Sequence, residues 1–288
     1  METRKMHIQG MEVQVEGSGP RTVLMLHGWP DTLAVWDGTV RALQNNYRCV
    51  RLTLPGFGDV QERPPVVPKL DDVVDALVAV IQTVSPGAPV TLMLHDWGCI
   101  FGYELAMRHP QRVEAVVAID IGDHNARAYL QSLSLKQKVA VAAYQLWLAK
   151  AWMVGRYLHP GLGNRMTRWM AGLMRCPVPA PQLSWTMNFP YVMQWFGMRG
   201  GLRTRPVKLT CPVLYVFGER KPFMFHSPRW LHTLRASEDG AAHALRCGHW
   251  VMLEQPEAFH ALVLRWLAGR ERRKTHRSVQ ELQALRVK

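Results

Sequence analysis

The sequence predicts an α/β protein with a mostly parallel sheet of about eight strands and a helical cap inserted after the sixth strand. Short, almost wholly apolar runs alternate with amphipathic helical patterns, which is typical of buried parallel strands covered by helices. The alternation stops between about residues 123 and 206, where Trp, Met, Gly and Pro accumulate. The chain has 288 residues, 48% of them hydrophobic, which suffices for one large core.

The first 25 residues predict a hairpin and a third strand, because alternating residues surround a turn rich in Gly and Pro. Later apolar runs predict strands, and patterns with the period of a helix predict helices. The expected strands are Met6–Gln9, Glu12–Glu16, Thr22–Leu26, Tyr47–Leu54, Val90–Leu94, Val113–Ile119, Pro212–Phe217 and His243–Arg246. The expected helices are Thr32–Leu43, Leu70–Val84, Cys99–His109, Pro228–Leu234 and Pro256–Leu267. This order predicts a core of residues 1–123 and 207–270, a cap of residues 124–206 and a basic C-terminal tail of residues 271–288.

The formal charge of +13 raises the question of an anionic partner. Between Asp123 and Glu219 the sequence has twelve Lys and Arg and neither Asp nor Glu, and the same stretch is rich in Trp and Met. It therefore indicates an apolar, basic cap. No helix-turn-helix, RNP or zinc-finger pattern accompanies the charge, so we expect no nucleic-acid partner. A membrane-associated protein is an alternative that rests on charge alone. No membrane span is expected, because no run of 18 uncharged apolar residues is present.

The five cysteines lie far apart in the sequence and form no C-x-x-C pair. Their arrangement excludes a disulfide scaffold and a zinc finger and is typical of a reducing compartment. The first ten residues are polar and lack the apolar stretch of a secretory signal. The sequence therefore favours a cytoplasmic protein without a metal site.

The strongest chemical signal is the run from Leu92 to Cys99, in which an apolar strand passes directly into His-Asp-Trp-Gly and a helix. This pattern predicts a strand–turn–helix elbow that lifts Asp96 above the sheet, where elbows of the G-x-S-x-G type hold a serine. The helix N-terminus favours a carboxylate there. Leu94 is bulky for the start of such a turn, so we expect local crowding. The alternative is that Asp96 only caps the helix.

Two further turns are expected at the same edge of the sheet. The turn His27–Asp31 follows the third strand, and its Trp29 amide is suited, with that of Trp97, to form an oxyanion hole. His249 lies in the loop between the last strand and the last helix. A histidine in this place completes the chain order nucleophile, acid, histidine. The alternative is a structural role, since the chain has twelve histidines.

The motifs HGWPD (27–31), LPGFG (54–58), HDWG (95–98) and GHWVMLEQP (248–256) together resemble the α/β-hydrolase superfamily. Within it the chain is similar to epoxide hydrolases and their haloalkane dehalogenase relatives, from about residue 6 to 268. The resemblance implies the α/β-hydrolase fold and an aspartate nucleophile. A carboxylate suits attack on an sp³ carbon that bears a leaving group, because the product is an alkyl ester that water can hydrolyse.

The leaving group distinguishes these two activities. A halide needs N–H donors, commonly two Trp, or one Trp with an Asn in the H-G-x-P turn, where this chain has Trp29. An epoxide oxygen leaves as an alkoxide and needs an acid. Tyr144, in Tyr-Gln-Leu-Trp, resembles one ring-opening tyrosine of epoxide hydrolases, and Tyr191 is the candidate for the second. Aromatic side chains also line such caps for packing alone, so the role of Tyr191 stays open at this point.

One position departs from the family pattern. Relatives carry an Asp after the seventh strand that orients the histidine, but this chain has Lys221. Some relatives place the acid after the sixth strand, and we therefore assign that role to Asp120, with Asp123 and Glu219 in reserve. The alternative is that Asp120 caps a turn leading into the cap.

The resemblance implies an epoxide hydrolase that uses water to convert an apolar epoxide into a vicinal diol. Asp96 would attack, Tyr144 and Tyr191 would supply protons, and His249 would activate water. No metal or organic cofactor is implied. The alternatives are a haloalkane dehalogenase and a catalytically silent binding protein, the latter because Lys221 displaces the usual acid. A homodimer is compatible with the sequence.

Overall fold

The computed structural model describes residues 3–58, 67–197, 201–222 and 224–286, with side chains as far as residue 273. In this part of the chain the strands are β1 (Arg4–Ile8), β2 (Met11–Glu16), β3 (Arg21–Leu26), β4 (Tyr47–Leu52), β5 (Val90–His95), β6 (Val113–Ile119), β7 (Val213–Gly218) and β8 (Gly240–Leu245). They form one sheet in the order β1-β2-β4-β3-β5-β6-β7-β8. The pairs β1–β2 and β2–β4 are antiparallel, and the other neighbouring pairs are parallel. The predicted mostly parallel sheet of about eight strands is confirmed.

Several strand boundaries differ from the prediction by one to three residues, and two of them have a clear physical reason. β8 begins at Gly240, before the predicted start at His243, since Gly240 pairs with Val213 of β7 although Gly and Ala are weak strand formers. β4 ends at Leu52 rather than Leu54. The chain turns there, and the Phe57 N–H donates to the Leu54 carbonyl at 3.0 Å.

The described α-helices are α1 (Asp37–Leu43), α2 (Leu70–Val84), α3 (Trp97–Arg108), α4 (Arg127–Ser132), α5 (Leu135–Tyr157), α6 (Pro160–Leu173), α7 (Phe189–Phe196), α8 (Pro228–Ala236), α9 (Val251–Glu254) and α10 (Pro256–Arg286). A capping box precedes the long helix α5, in which the Ser134 hydroxyl accepts from the Gln137 N–H at 3.2 Å. α10 continues past its predicted end at Leu267. The expected C-terminal tail from residue 271 is therefore a continuation of this helix as far as Arg286.

The core lies on both faces of the sheet, and alternate residues of β3 show the division. Leu24 and Leu26 join the cluster beneath α2 and α3, whereas Val23 and Met25 join the cluster beneath α1, α9 and α10. This two-residue alternation follows from strand geometry. Burial of each such side chain contributes roughly 1.5–3 kcal/mol. The two clusters hold the carboxyl ends of the parallel strands in fixed positions.

Helices α4 to α7 form the insertion between β6 and β7, and we call residues 127–196 the helical insert. It lies over the carboxyl ends of the central strands. The Thr186 hydroxyl donates to the Gly56 carbonyl at 2.7 Å, and the Trp29 indole donates to the Asn188 side chain at 2.7 Å. Within the described ranges, none of the helices is both long enough and apolar enough to cross a membrane.

Candidate active site

Asp96 is the single residue between β5 and α3, and its backbone has φ 50° and ψ −121°. A positive φ is uncommon outside glycine and is found at strained functional turns. Asp96 stands at the N-cap position of α3, but its side chain makes no capping hydrogen bond. The alternative that Asp96 caps the helix is therefore wrong. The elbow turns the carboxylate away from α3 and toward the edge of the sheet.

The crowding expected at Leu94 is relieved by Gly102 on α3. Leu94 is fully buried, and a Cβ at Gly102 would lie 2.4 Å from Leu94 Cδ2. With any larger residue at position 102 the Leu94 side chain would have to shift, so the missing side chain makes room for the bulky leucine. The close packing of β5 against α3 is preserved in this way.

Among the residues that the structure describes, two polar groups contact the Asp96 carboxylate. The Trp29 backbone N–H donates to Asp96 Oδ1 at 2.6 Å, and Asp96 Oδ2 lies 3.6 Å from His249 Nε2. Burial alone would raise the pKa of Asp96, but His249, His95 and the Trp29 amide outweigh it and hold the pKa below its ordinary value. The carboxylate therefore stays ionised, as a nucleophile must.

His249 contacts Asp120 through its other ring nitrogen. Asp120 Oδ2 lies 2.5 Å from His249 Nδ1, and Asp120 is fully buried at the end of β6. The Gly218 N–H at the end of β7 donates to Asp120 Oδ1 at 3.1 Å. A Cβ at Gly218 would lie 1.7 Å from the Gly248 carbonyl, so only glycine lets the His249 loop approach this closely. The structure thus brings Asp96, His249 and Asp120 together in one line of contacts.

The two reserve carboxylates lie elsewhere. Asp123 accepts from the backbone N–H and the hydroxyl of Ser227, at 2.7 and 2.6 Å. Glu219 lies at the surface, 3.7 Å from Arg246. Each carboxylate therefore has a structural partner away from His249. Of the three candidates for the histidine's acid, Asp120 is the one that contacts the ring.

The charge of the two carboxylates controls the protonation of His249. Burial alone would lower the pKa of His249, but Asp120 and Asp96 outweigh it and hold the pKa above its ordinary value. An imidazolium between two carboxylates is therefore the expected resting form. If the Asp96 charge were lost, one of the two negative charges that stabilise the imidazolium would vanish and the pKa of His249 would fall. The ring would then become available as a base.

Lys221, which stands where relatives carry the acid, lies beside the carboxylate that contacts His249 in this chain. Its ammonium forms an ion pair with Asp120 Oδ1. The lysine side chain is 7% exposed, so water screens this pair weakly. Burial alone would raise the pKa of Asp120, but Lys221 and His249 hold it well below its ordinary value. The lysine thus keeps the acid ionised while its own charge opposes the imidazolium of His249.

We expect Lys221→Met to raise the pKa of His249, because the opposing cation is gone while Asp120 remains. The measurement is an NMR titration of the His249 ring, identified by its loss in His249→Gln. Lys221→Arg keeps the charge and serves as the matched control, with no shift expected. An unchanged or lower pKa in the Met variant would contradict this role.

A second buried network supports the histidine loop, and it involves residues to which the sequence assigned no role. His95 Nδ1 lies 3.1 Å from Asp31 Oδ2, and His95 Nε2 lies 3.2 Å from the His249 carbonyl. The Trp250 indole donates to Asp31 Oδ1 at 2.9 Å. His95 and Asp31 belong to the HDWG and HGWPD motifs, so their position in those motifs was the available signal. The network ties the elbow, the first turn and the histidine loop together.

Aromatic residues from the insert and the core meet beside Asp96. The Tyr191 ring lies 5.2 Å from that of Trp97, 5.8 Å from that of Trp29 and 6.1 Å from that of Tyr144. Burial, with the negative charge of Asp96, raises the pKa of both Tyr144 and Tyr191. Both phenols therefore keep their protons at neutral pH. All seven residues that the sequence predicted for the site lie in this one region.

The Trp29 indole forms a hydrogen bond with the helical insert. Its N–H donates to Asn188 Oδ1 at 2.7 Å, and the Asn188 amide donates to the Thr167 hydroxyl at 2.7 Å. This chain of hydrogen bonds links the first turn to α6. The Trp29 indole N–H therefore already has an acceptor inside the protein.

The sequence pattern of the Alpha/beta hydrolase family matches residues 23–262. Among curated proteins, the rat bifunctional epoxide hydrolase 2 is 23% identical over 298 residues, which cover 87% of this chain and 52% of that protein. The pig protein of the same name is 22% identical, with the same coverage of both chains. The chain thus spans about half the length of these relatives.

Solved structures share the fold. The Bacillus megaterium epoxide hydrolase with a bound inhibitor has a TM-score of 0.64 and 21% identity, covering 92% of this chain and 100% of that chain. A haloalkane dehalogenase loop variant from Bradyrhizobium elkanii has a TM-score of 0.67 and 21% identity, covering 96% of this chain and 99% of that chain. At such identities the likeness establishes the architecture, and the site chemistry rests on the residues themselves.

Proposed function

We propose that the chain, which belongs to the Alpha/beta hydrolase family, hydrolyses an apolar epoxide to a vicinal diol. The observation that carries this proposal is the pair of tyrosines beside the nucleophile. Tyr144 and Tyr191 have ring centroids 6.1 Å apart, and the charge of Asp96 acts on both phenols. Two protonated phenols beside an ionised carboxylate are what ring opening of an epoxide requires.

In the first half-reaction, an Asp96 oxygen attacks an epoxide carbon and the ring C–O bond breaks. The electron pair of that bond stays on the epoxide oxygen, which takes a proton from Tyr144 or Tyr191. The products are an alkyl ester on Asp96 and a phenolate. A positioned general acid accelerates such a step by roughly 10²–10⁴-fold. The aromatic surroundings of Asp96 suit an apolar substrate.

In the second half-reaction, His249 takes a proton from water and the hydroxide attacks the ester carbonyl. Esterification has removed the Asp96 charge, so the pKa of His249 has fallen. The imidazolium has passed its proton to the tyrosine phenolate, and the neutral ring can act as base. Asp120 stabilises the imidazolium that forms. The amides of Trp29 and Trp97 are the proposed donors to the oxyanion. Collapse releases the diol and the Asp96 carboxylate, and His249, which keeps the proton taken from water, is again the imidazolium of the resting enzyme.

The two alternatives are less well supported. A haloalkane dehalogenase needs two N–H donors for the halide, but the Trp29 indole N–H is used by Asn188. A silent binding protein was suggested by the lysine at position 221, yet Asp120 supplies a carboxylate 2.5 Å from His249. The first observation disfavours the dehalogenase, and the second favours an active hydrolase over a silent binding protein.

We expect Tyr144→Phe to reduce hydrolysis of a terminal aryl epoxide by roughly one to three powers of ten, and Tyr144→Phe with Tyr191→Phe to reduce it further. Each change removes a hydroxyl and keeps the ring, so packing should be little affected. The measurement is the rate of diol formation, with the thermal unfolding midpoint as a check on folding.

The matched substrate is a bromoalkane of similar size, because bromide leaves without a proton. Wild-type protein is expected to form diol from the epoxide and to release little bromide. Rapid bromide release, or equal losses on both substrates in Tyr144→Phe, would contradict the proposed function.

A further inference from the structure

The helical insert carries an unusual share of the exposed apolar surface. Among the side chains that the structure describes, thirteen large hydrophobic ones are exposed, and twelve of them lie between residues 130 and 196. Scattered exposed hydrophobic residues are ordinary, but a concentration in one segment marks an interaction surface.

On α5 the exposed apolar residues form one stripe. Leu135, Val139, Leu146, Met153 and Tyr157 are between 36% and 77% exposed, and successive members are four, seven, seven and four positions apart. At 3.6 residues per turn these positions lie within about 40° around the helix axis. The buried side of α5 is opposite, so this helix is apolar toward the core and apolar toward solvent.

The neighbouring helices extend the stripe into a face. On α6, Leu162, Trp169 and Leu173 are 45%, 54% and 61% exposed and repeat the spacing of seven and four. The Trp169 ring packs against that of Trp147 of α5, with ring centroids 4.8 Å apart and planes tilted by 49°, which sets α6 against one side of α5.

The helix α7 lies against the other side of α5. The Trp195 indole of α7 donates to the Gln145 side chain of α5 at 3.0 Å. Trp195 and Phe196 are 40% and 47% exposed. Leu158, which directly follows α5, is 76% exposed. We call the combined surface of α5, α6 and α7, together with Leu158, the outer face.

The outer face has basic side chains and no acidic ones. Lys138 and Lys150 are exposed and flank the α5 stripe on either side, and Arg165 is exposed on α6. The whole sequence between Asp123 and Glu219 has neither Asp nor Glu. Lysine and arginine stems can lie along apolar surface while their charges reach outward.

We propose that the outer face binds the surface of a bilayer containing anionic lipids. Apolar residues on one side of a helix, with Lys and Arg beside them, are the pattern by which helices lie in the membrane interface. The leucines and aromatic rings enter the boundary between headgroups and acyl chains, and the basic side chains contact the anionic headgroups. This is binding at the surface, consistent with the absence of a spanning helix among the described residues.

Charge complementarity selects this partner over two others. In a symmetric dimer the same patch would face itself, so basic side chains would meet basic side chains without an acidic partner. A nucleic acid would satisfy the charges but would leave Tyr157, Leu158 and Leu162 without an apolar environment. An anionic bilayer supplies both the charge and the apolar medium.

The test is flotation of the full chain with vesicles, without any epoxide. We expect binding to vesicles of equal parts phosphatidylcholine and phosphatidylglycerol, weak binding to phosphatidylcholine alone, and weaker binding at high salt. Tyr157→Ser with Leu158→Ser should weaken binding by roughly tenfold or more. Lys138→Gln with Lys150→Gln should also weaken it by about tenfold or more.

Matched controls lie outside the insert. Leu253 is 42% exposed, and Leu253→Ser should leave vesicle binding unchanged. Arg229 and Arg235 are exposed on α8, and Arg229→Gln with Arg235→Gln should have a much smaller effect than the two lysine changes. Equal effects of the insert variants and the controls would overturn the proposal.

Two other outcomes would overturn it. One is equal binding to neutral and anionic vesicles. The other is a dimer, seen by sedimentation equilibrium, that dissociates in Tyr157→Ser with Leu158→Ser while vesicle binding is unaffected. Since vesicle binding requires no turnover, failure here leaves the proposed hydrolysis standing, and the reverse also holds.

Discussion

His249→Gln is expected to accumulate a covalent adduct on Asp96, with the mass of one substrate molecule, and to stop after one alkylation without releasing diol. Glutamine cannot take a proton from water, so hydrolysis of the ester loses its base while attack by Asp96 does not need one. The removal of the imidazolium beside Asp96 also leaves the carboxylate a freer nucleophile. Alkylation should therefore remain observable although steady-state turnover is abolished.

The measurement is intact-protein mass spectrometry after incubation with a terminal epoxide, followed by peptide mapping. Asp96→Ala is the matched control and should give neither adduct nor diol. In wild-type protein a single turnover in ¹⁸O water should place the label on Asp96, because the hydroxide attacks the ester carbonyl. If His249→Gln forms no adduct with any epoxide or haloalkane, the covalent mechanism is wrong.

Asp120→Asn is expected to slow ester hydrolysis by roughly two to four powers of ten while alkylation falls far less. The amide has the size of the carboxylate but neither stabilises the imidazolium nor enforces the right tautomer of His249. The adduct should then build up transiently, which rapid quench and mass spectrometry would detect. Asp120→Asn alone would leave the Lys221 ammonium buried without its partner, which destabilises the fold. The double variant Asp120→Asn with Lys221→Met removes that unpaired charge, so its rate of ester hydrolysis reports the catalytic role of Asp120.

The controls for this prediction are the two carboxylates that lie elsewhere. Asp123 contacts Ser227, and Glu219 lies near Arg246, so Asp123→Asn and Glu219→Gln should not accumulate adduct. A normal rate of ester hydrolysis in Asp120→Asn, or adduct accumulation in either control, would remove the acid role from Asp120.

The sequence by itself determined the parts of the protein that depend on neighbours along the chain. The elbow at Asp96 can be predicted from the sequence because a β-strand, a one-residue turn and a helix follow one another directly. The strand pattern predicts the sheet, and in a parallel sheet the turns after successive strands meet at one edge. The positions of Asp96, Trp29 and His249 at that edge follow from these local signals.

Only the tertiary structure decided which distant residues meet. Asp120, Asp123 and Glu219 all follow strands near the site, and no local pattern states which of them reaches a ring 129 positions further along the chain from Asp120. Likewise, no local sequence pattern indicates that Asp120 forms an ion pair with Lys221. Contacts between distant segments depend on the exact crossing of strands and loops.

The tertiary structure also decided which apolar residues of the helical insert form the outer face. The sequence predicted an apolar, basic cap. However, an apolar residue in a helix gives the same sequence pattern whether it points toward a core or toward solvent. Which side of α5 is buried depends on where α6, α7 and the sheet pack against it. Tyr144 on the inner side and Tyr157 on the outer side come from one helix with one composition. Packing alone separates a residue beside the nucleophile from a residue at the surface.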